Sequence, residues 1–203
     1  MAIWEDKKLL LTASDKVIML WDLISLTNVG SLKGHKDDIK TMCISSDGNQ
    51  LFSAGKGSST GGALLIWDLR KGAAPVEERE KNQDIFSLAS ANEHLFFGCR
   101  NHYVYPMNIK TYETGVPFEP PHFDAVTSLA ILDQSLVSGS RDKNLRCWNY
   151  ESQMSNVTDV MGAHSDWINT LETDIDQKEL YSGSKDGIVK VWKIKHKKLR
   201  CMA

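Results

Sequence analysis

The chain has 203 residues, 41% of them apolar and 25% charged, a balance that supports a packed core and excludes a disordered tail. Its 24 basic side chains against 26 acidic ones leave a net charge of −2, so no nucleic-acid partner is expected. No apolar run approaches the roughly 18 residues of a membrane span, the opening Met1-Ala2-Ile3-Trp4 is no signal peptide, and Cys43, Cys99, Cys147 and Cys201 form no CxxC pair. A soluble cytoplasmic protein with reduced, mostly buried thiols is the expectation, with no membrane contact.

Taken in chain order, five segments share one grammar: an apolar strand, a small-residue stop, a polar turn, then a β-branched strand closing on a large side chain. They are LLLTASDKVIMLWDL (9–23), LFSAGKGSSTGGALLIWDL (51–69), LFFGCRNHYVYPMNI (95–109), LVSGSRDKNLRCWNY (136–150) and LYSGSKDGIVKVWKI (180–194). The closing residues Trp21, Trp67, Met107, Trp148 and Trp192 are separated by 46, 40, 41 and 44 residues. That is the period of a four-stranded propeller blade, and long helical periodicity is absent. The fold class is all-β.

A second mark recurs. His35, His122 and His164 each precede a strand, in HKDDIKTM, HFDAVTSL and HSDWINTL, while KNQDIFSL puts Lys81 in that register. These residues resemble the WD40 family, in which a loop His, a strand Ser or Thr, a turn Asp and a strand Trp form a hydrogen-bonded tetrad. The resemblance implies two complete tetrads, His122–Ser138–Asp142–Trp148 and His164–Ser182–Asp186–Trp192. The second repeat offers His35, Ser53 and Trp67 but has a swollen turn in place of the Asp. The first keeps Thr12, Asp15 and Trp21. The third keeps none, with Phe97, Asn101 and Met107 instead.

Ser, His and Asp together invite a catalytic reading. A nucleophilic triad occurs once and needs an exposed nucleophile beside an oxyanion hole, whereas here the trio recurs with the repeat and ends on an indole N–H. A structural network, not an enzyme, is expected. The six His and four Cys never cluster at metal-ligand spacing, and GSSTGG (57–62) lacks the ending of a phosphate loop. No cofactor, metal or small-molecule substrate is implied.

The blades are expected at about 1–33, 34–80, 81–120, 121–162 and 163–203, with Met1 already inside a strand and a last strand at Lys198–Met202. A seven-bladed ring at roughly 42 residues per blade needs nearly 300, so the chain reads as part of a larger ring, with a five-bladed ring or a partner that supplies the remaining blades as the alternatives. In the WD40 resemblance, partners dock at the turn residue before the tetrad Asp and at the third and fifth residues after the loop His. The first set is Lys56, Arg100, Arg141 and Lys185, with Ser14 in the first repeat. The others are Asp38 and Lys40, Asp84 and Phe86, Ala125 and Thr127, Trp167 and Asn169. Lys56, Arg100, Arg141 and Lys185 with the aromatics Phe86 and Trp167 suit an acidic or phosphorylated peptide.

Three further features bear on the partner. The basic run KVWKIKHKKLR (190–200) reads as an edge-strand guard, with contact to an acidic polymer such as a nucleic acid or tubulin as the alternative. The stretch from NHYVYPMNIKTYETG through FEPPHFDAVTSLAI to AHSDWINTL resembles the C-terminal WD40 propeller of kinesin-4-type motor tails. That resemblance implies a cargo, regulator or microtubule contact and a cytoskeletal location in the cytoplasm. It carries over no ATPase or motility. Trp67-Asp68-Leu69-Arg70 matches the WDxR signature of propellers that serve as substrate receptors of cullin-4 ubiquitin ligases, a rival reading.

Overall fold

The structure, a computed structural model, describes residues 1–57, 62–71, 74–81, 83–151, 155–195 and 198–202. Most of the glycine-rich turn after Lys56 and His196 and Lys197 of the basic run lie outside the described residues, as does the Lys81 side chain. Regular structure among the described residues is β-strand, apart from a 3-10 turn at Glu5–Lys7, and no helix is long and apolar enough to cross a membrane. The chain divides into two units, Met1–Glu93 and His94–Ala203.

In the first unit, β1 (Ala2–Trp4), β2 (Leu9–Ser14), β3 (Val17–Asp22) and β4 (Asn28–Lys33) form an antiparallel meander. A second meander follows in β5 (Ile39–Ile44), β6 (Gln50–Gly55), β7 (Gly62–Asp68) and β8 (Glu77–Lys81), and β9 (Ile85–Ala91) ends the unit. Near-continuous apolar runs such as Leu51–Phe52 and Leu64–Trp67 are buried on both faces of the second sheet. Leu11, Ile18 and Leu32 of the first meander pack on Met42, Leu51, Leu65 and Trp67 of the second.

The second unit opens on the hairpin of β10 (His94–Cys99) and β11 (Val104–Asn108). Two four-stranded meanders follow: β12 (Val126–Leu132), β13 (Ser135–Ser140), β14 (Leu145–Asn149) and β15 (Ser155–Val160), then β16 (Ile168–Thr173), β17 (Leu180–Ser184), β18 (Val189–Lys195) and β19 (Lys198–Cys201). Val137, Leu145 and Cys147 meet Ile168, Leu171, Leu180 and Trp192 in one core. The small-residue stop in the repeat has a reason here: a Cβ on Gly139 would stand 2.8 Å from Ile168 Cγ2 and 3.3 Å from Leu171. The close approach of the two sheets requires glycine.

In every repeat the closing residue pairs with a leucine of the strand before it: Leu10 with Trp21, Leu51 with Trp67, Leu95 with Met107, Leu136 with Trp148, Leu180 with Trp192. The third repeat is the irregular one. Beyond β11 only a single bridge forms, Met107 with Thr114, supplemented by Gly115 N–H to Pro106 O at 2.8 Å and Phe118 N–H to Val104 O at 2.9 Å. Pro117, Pro120 and Pro121 have no N–H to extend it. The last meander begins its third strand at Val189, just after the Ile188 N–H that is bound to Asp186 Oδ1 at 3.0 Å in the turn.

Candidate functional site

In the fourth and fifth repeats a polar network ties the loop-and-turn end to its sheet. At the centre of the fourth repeat sits Ser138 Oγ, fully buried, 3.0 Å from Trp148 Nε1 and 2.8 Å from His122 Nε2. Asp142 Oδ2 lies 2.8 Å from His122 Nδ1 and accepts the Phe123 N–H, while its Oδ1 accepts the Asn144 N–H. With Nδ1–H donating to the carboxylate, Nε2 is left to accept from the serine hydroxyl, whose oxygen accepts the indole N–H. The fifth repeat repeats it: His164 Nε2 to Ser182 Oγ 2.6 Å, His164 Nδ1 to Asp186 3.0 Å and Trp192 Nε1 to Ser182 Oγ 2.8 Å. Neither serine reaches solvent.

Burial pushes the Asp142 carboxyl up, but the His122 hydrogen bond and charge and the two backbone N–H groups outweigh it and bring the pKa down to about 2. Asp186 is also pushed up by burial and is held below its ordinary value by the Ser165 and Ile188 N–H groups and by His164. In the second repeat His35 Nε2 and Trp67 Nε1 both stand 2.7 Å from Ser53 Oγ. Burial lowers the His35 pKa to about 4, against the opposing charge of Glu78. The first repeat retains only the pair of Trp21 Nε1 and Thr12 Oγ1, at 2.9 Å and half-buried. Asp15 turns there at φ 52°.

The third repeat replaces the network with aromatics, a feature not foreseen in the sequence. Phe96 lies 5.2 Å from Tyr150 and 6.0 Å from Phe118, and Phe118 stacks on Trp148 at 5.2 Å. Phe97, in the serine position, stacks on Tyr105 at 5.4 Å, and Asn101 Nδ2 donates to Tyr105 Oη at 3.0 Å. The signal was the density of Phe and Tyr between 95 and 118, but their partners lie anywhere from 8 residues away (Phe97 and Tyr105) to 54 (Phe96 and Tyr150).

Of the expected docking positions, the structure brings three together. The Trp167 ring, 37% exposed, has Arg141 Cζ 4.8 Å and Lys185 Nζ 4.3 Å from its centroid. The backbone fixes the arrangement, because the Lys185 N–H donates to Trp167 O at 2.9 Å and the Arg141 N–H to Ala125 O at 3.1 Å. Two cations over one indole make a positively charged aromatic platform. Arg100 is exposed on the β10–β11 turn of the same unit, whereas Lys56, exposed, and Phe86, half-buried, belong to the first unit.

Other expected positions are occupied structurally. Bulges interrupt the register at Lys40, Thr127 and Asn169, the fifth residues after the loop histidines. Thr127 Oγ1 is bound to the carbonyls of Gly139 and Ile168, Ala125 is buried, and Lys40 lies 3.8 Å from Asp38. Arg70 of the WDxR match donates from Nε and Nη2 to the two Asp68 oxygens, each at 3.0 Å. A local ion pair therefore accounts for its position. None of the four cysteines is in a disulfide; Cys99 and Cys147 are buried, Cys43 half-buried and Cys201 exposed.

Comparison with known proteins fits this geometry. The WD40 family model (WD domain, G-beta repeat) matches residues 26–68, 117–149 and 155–193. Among curated relatives, human kinesin-like protein KIF21B is 28% identical over 197 residues, covering 91% of this chain and 12% of its own. Human KIF21A, also kinesin-like, is 26% identical over 178 residues, 83% of this chain and 10% of its own. Mitochondrial division protein 1 of Saccharomyces cerevisiae is 25% identical over 208 residues, 91% of this chain and 25% of its own. The chain thus spans a tenth to a quarter of the length of these relatives.

Proposed function

Because the chain belongs to the WD40 family, a family of G-beta repeat proteins, we propose that it works without catalysis, docking an acidic or phosphorylated peptide on the loop face of its repeats. The repeats themselves make it a protein-interaction scaffold. The single observation that carries the finer reading is the Trp167 platform with Arg141 and Lys185 held over it. A carboxylate or phosphate approaching that ring meets two cations already positioned, so little side-chain entropy remains to be lost on binding. The likeness to kinesin-like proteins favours a tail-type module in the cytoplasm, where an acidic microtubule surface or a cargo regulator is the partner.

Microtubule co-sedimentation at low and moderate salt tests this, comparing the unchanged chain with an Arg100→Glu/Arg141→Glu/Lys185→Glu variant. Salt-sensitive pelleting that the variant loses is the expected result. A folded chain that stays in the supernatant at low salt would remove the microtubule reading, and pelleting unaffected by the variant would remove the site.

A further inference from the structure

The turns that join β1 to β2 and β5 to β6 flank a cavity of about 360 Å³ in the first unit. They lie at the end of their meanders opposite the β2–β3 turn and the β4–β5 loop that holds His35, so the cavity is not part of the loop face. Its volume is at the low end for a ligand pocket, enough for one side chain and the peptide unit that bears it. The first turn contributes Ile3, Trp4 and Glu5, and the second Ile44, Ser45 and Asp47. Both turns belong to meanders that pack on each other, so the cavity is built between two complete neighbours.

Trp4 sets this cavity apart. The four tryptophans that close a repeat each donate the indole N–H to a Ser or Thr hydroxyl. Trp4 Nε1 is buried yet has no hydrogen-bond partner among the described residues, a costly state for a donor. Turn closure does not explain it. Ile3 pairs with Leu10 as Ile44 does with Leu51 and Thr173 with Leu180, so Trp4 takes the place of Ser45 and Asp174. Ser45 Oγ accepts the Gln50 N–H at 2.9 Å, and Asp174 Oδ1 accepts those of Lys178 and Glu179 at 2.7 and 2.8 Å, each closing its own turn. In the first meander the 3-10 turn at Glu5–Lys7 does this instead, with the Lys8 N–H on Glu5 O at 3.0 Å. The half-buried indole packs on the core of both meanders, which holds it in place.

The charge of the lining is negative: Glu5 and Asp47 are both exposed, and no described lining residue is basic. Asp47 Oδ1 accepts from Ser45 Oγ and the Asn49 N–H, and Oδ2 accepts from Asn49 Nδ2 at 2.9 Å. A carboxylate has about four acceptor positions, so one remains. The Ser45 and Asn49 hydrogen bonds hold the Asp47 carboxyl below its ordinary value, against slight burial and with a weaker pull from Arg70. Arg70 itself is engaged by Asp68. We infer that this cavity binds an arginine of an extended peptide, with the guanidinium between Glu5 and Asp47, the stem along Ile3 and Ile44, and a peptide carbonyl accepting the Trp4 indole N–H. The planar fork of a guanidinium reaches two carboxylates at once. It has no acceptor of its own, so the indole N–H calls for the carbonyl and hence for a peptide rather than a small cation. The ligand is opposite in charge to the one that suits the Trp167 platform.

The test titrates the full 15N-labelled chain with acetyl-Gly-Arg-Gly-amide and follows the Trp4 indole N–H signal, assigned by its loss in Trp4→Phe. One control peptide carries citrulline, the neutral isostere of arginine. The other control is methylguanidinium, which has the charge but no carbonyl. The expected result is a saturable downfield shift of the Trp4 signal while those of Trp148 and Trp192, bound to Ser138 and Ser182, hold still. The citrulline peptide and methylguanidinium should each bind about tenfold more weakly or worse. Glu5→Gln should weaken the arginine peptide about threefold and leave the circular dichroism spectrum unchanged, since the side chain is exposed. Arg141→Glu/Lys185→Glu should leave the titration as it was. A Trp4 signal that stays in place, equal binding of either control, indifference to Glu5→Gln, or loss of the shift in Arg141→Glu/Lys185→Glu would each overturn the inference.

Discussion

Replacing Ser138 by alanine removes one oxygen from a fully buried site and strands two partners. The Trp148 indole N–H, 1% exposed, loses its acceptor, and buried His122 loses the hydroxyl at its Nε2. Cβ remains, so the cavity is no larger than the hydroxyl. The cost comes from the unsatisfied groups, about 1–3 kcal/mol each with some recovery by relaxation, or roughly 2–4 kcal/mol in total. Ser182→Ala should fall in the same range, since Ser182 holds the equivalent partners, Trp192 Nε1 at 2.8 Å and His164 Nε2 at 2.6 Å. Thr12→Ala should cost less, on the order of 1 kcal/mol, because the Trp21 pair is half-buried and lacks a histidine. Urea unfolding followed by far-ultraviolet circular dichroism, with midpoints compared at constant slope, measures all three. A Ser138→Ala cost no greater than that of Thr12→Ala would refute the idea that the buried network holds the loop to the sheet.

Three other outcomes follow from the geometry. His35 has its pKa lowered to about 4, so its neutral form belongs to the fold, and the stability it contributes above pH 6.5 is lost as pH falls toward 4. The loss at pH 5 is at most about 2 kcal/mol, read as the part of the pH 7.5-to-5 drop in urea stability that His35→Gln removes; an identical drop in the variant contradicts it. Gly139→Ala should destabilise by about 1–3 kcal/mol through its clash with Ile168, and a paired Ile168→Val should recover part of that in the same assay; no recovery would mean the contact is not the cause. Burial holds the Cys147 thiol up at about 11, so in native protein a thiol reagent should label exposed Cys201 first and Cys147 only after urea is added. Early labelling of Cys147, read by peptide mass spectrometry, would contradict the packing.

The tetrads were legible in the sequence because their four residues recur at a spacing that only a repeated strand–turn–strand unit brings together. The third repeat was not, because its substitute is a packing of Phe96, Phe118, Trp148 and Tyr150 that carries no spacing rule. The clustering of Arg141, Trp167 and Lys185 was legible by analogy, because the turn pins their backbones. At Thr127 a bulge hands the hydroxyl to two carbonyls, which its place five residues after His122 does not reveal. The basic run after Trp192 was visible as composition, yet which lysines share a face depends on a hairpin register that composition does not encode.

The most direct test of the platform is the indole N–H spectrum of 15N-labelled protein during titration with a glutamate-rich peptide. Trp148 and Trp192, whose N–H groups are buried against Ser138 and Ser182, serve as internal references. The account predicts that the Trp167 signal shifts with added peptide, that the shift fades with salt, and that Arg141→Glu/Lys185→Glu abolishes it while the reference signals hold still. A Trp167 signal that stays in place throughout the titration, or that moves equally in the charge-reversed variant, would contradict the assignment of Arg141, Trp167 and Lys185 as an acid-binding site.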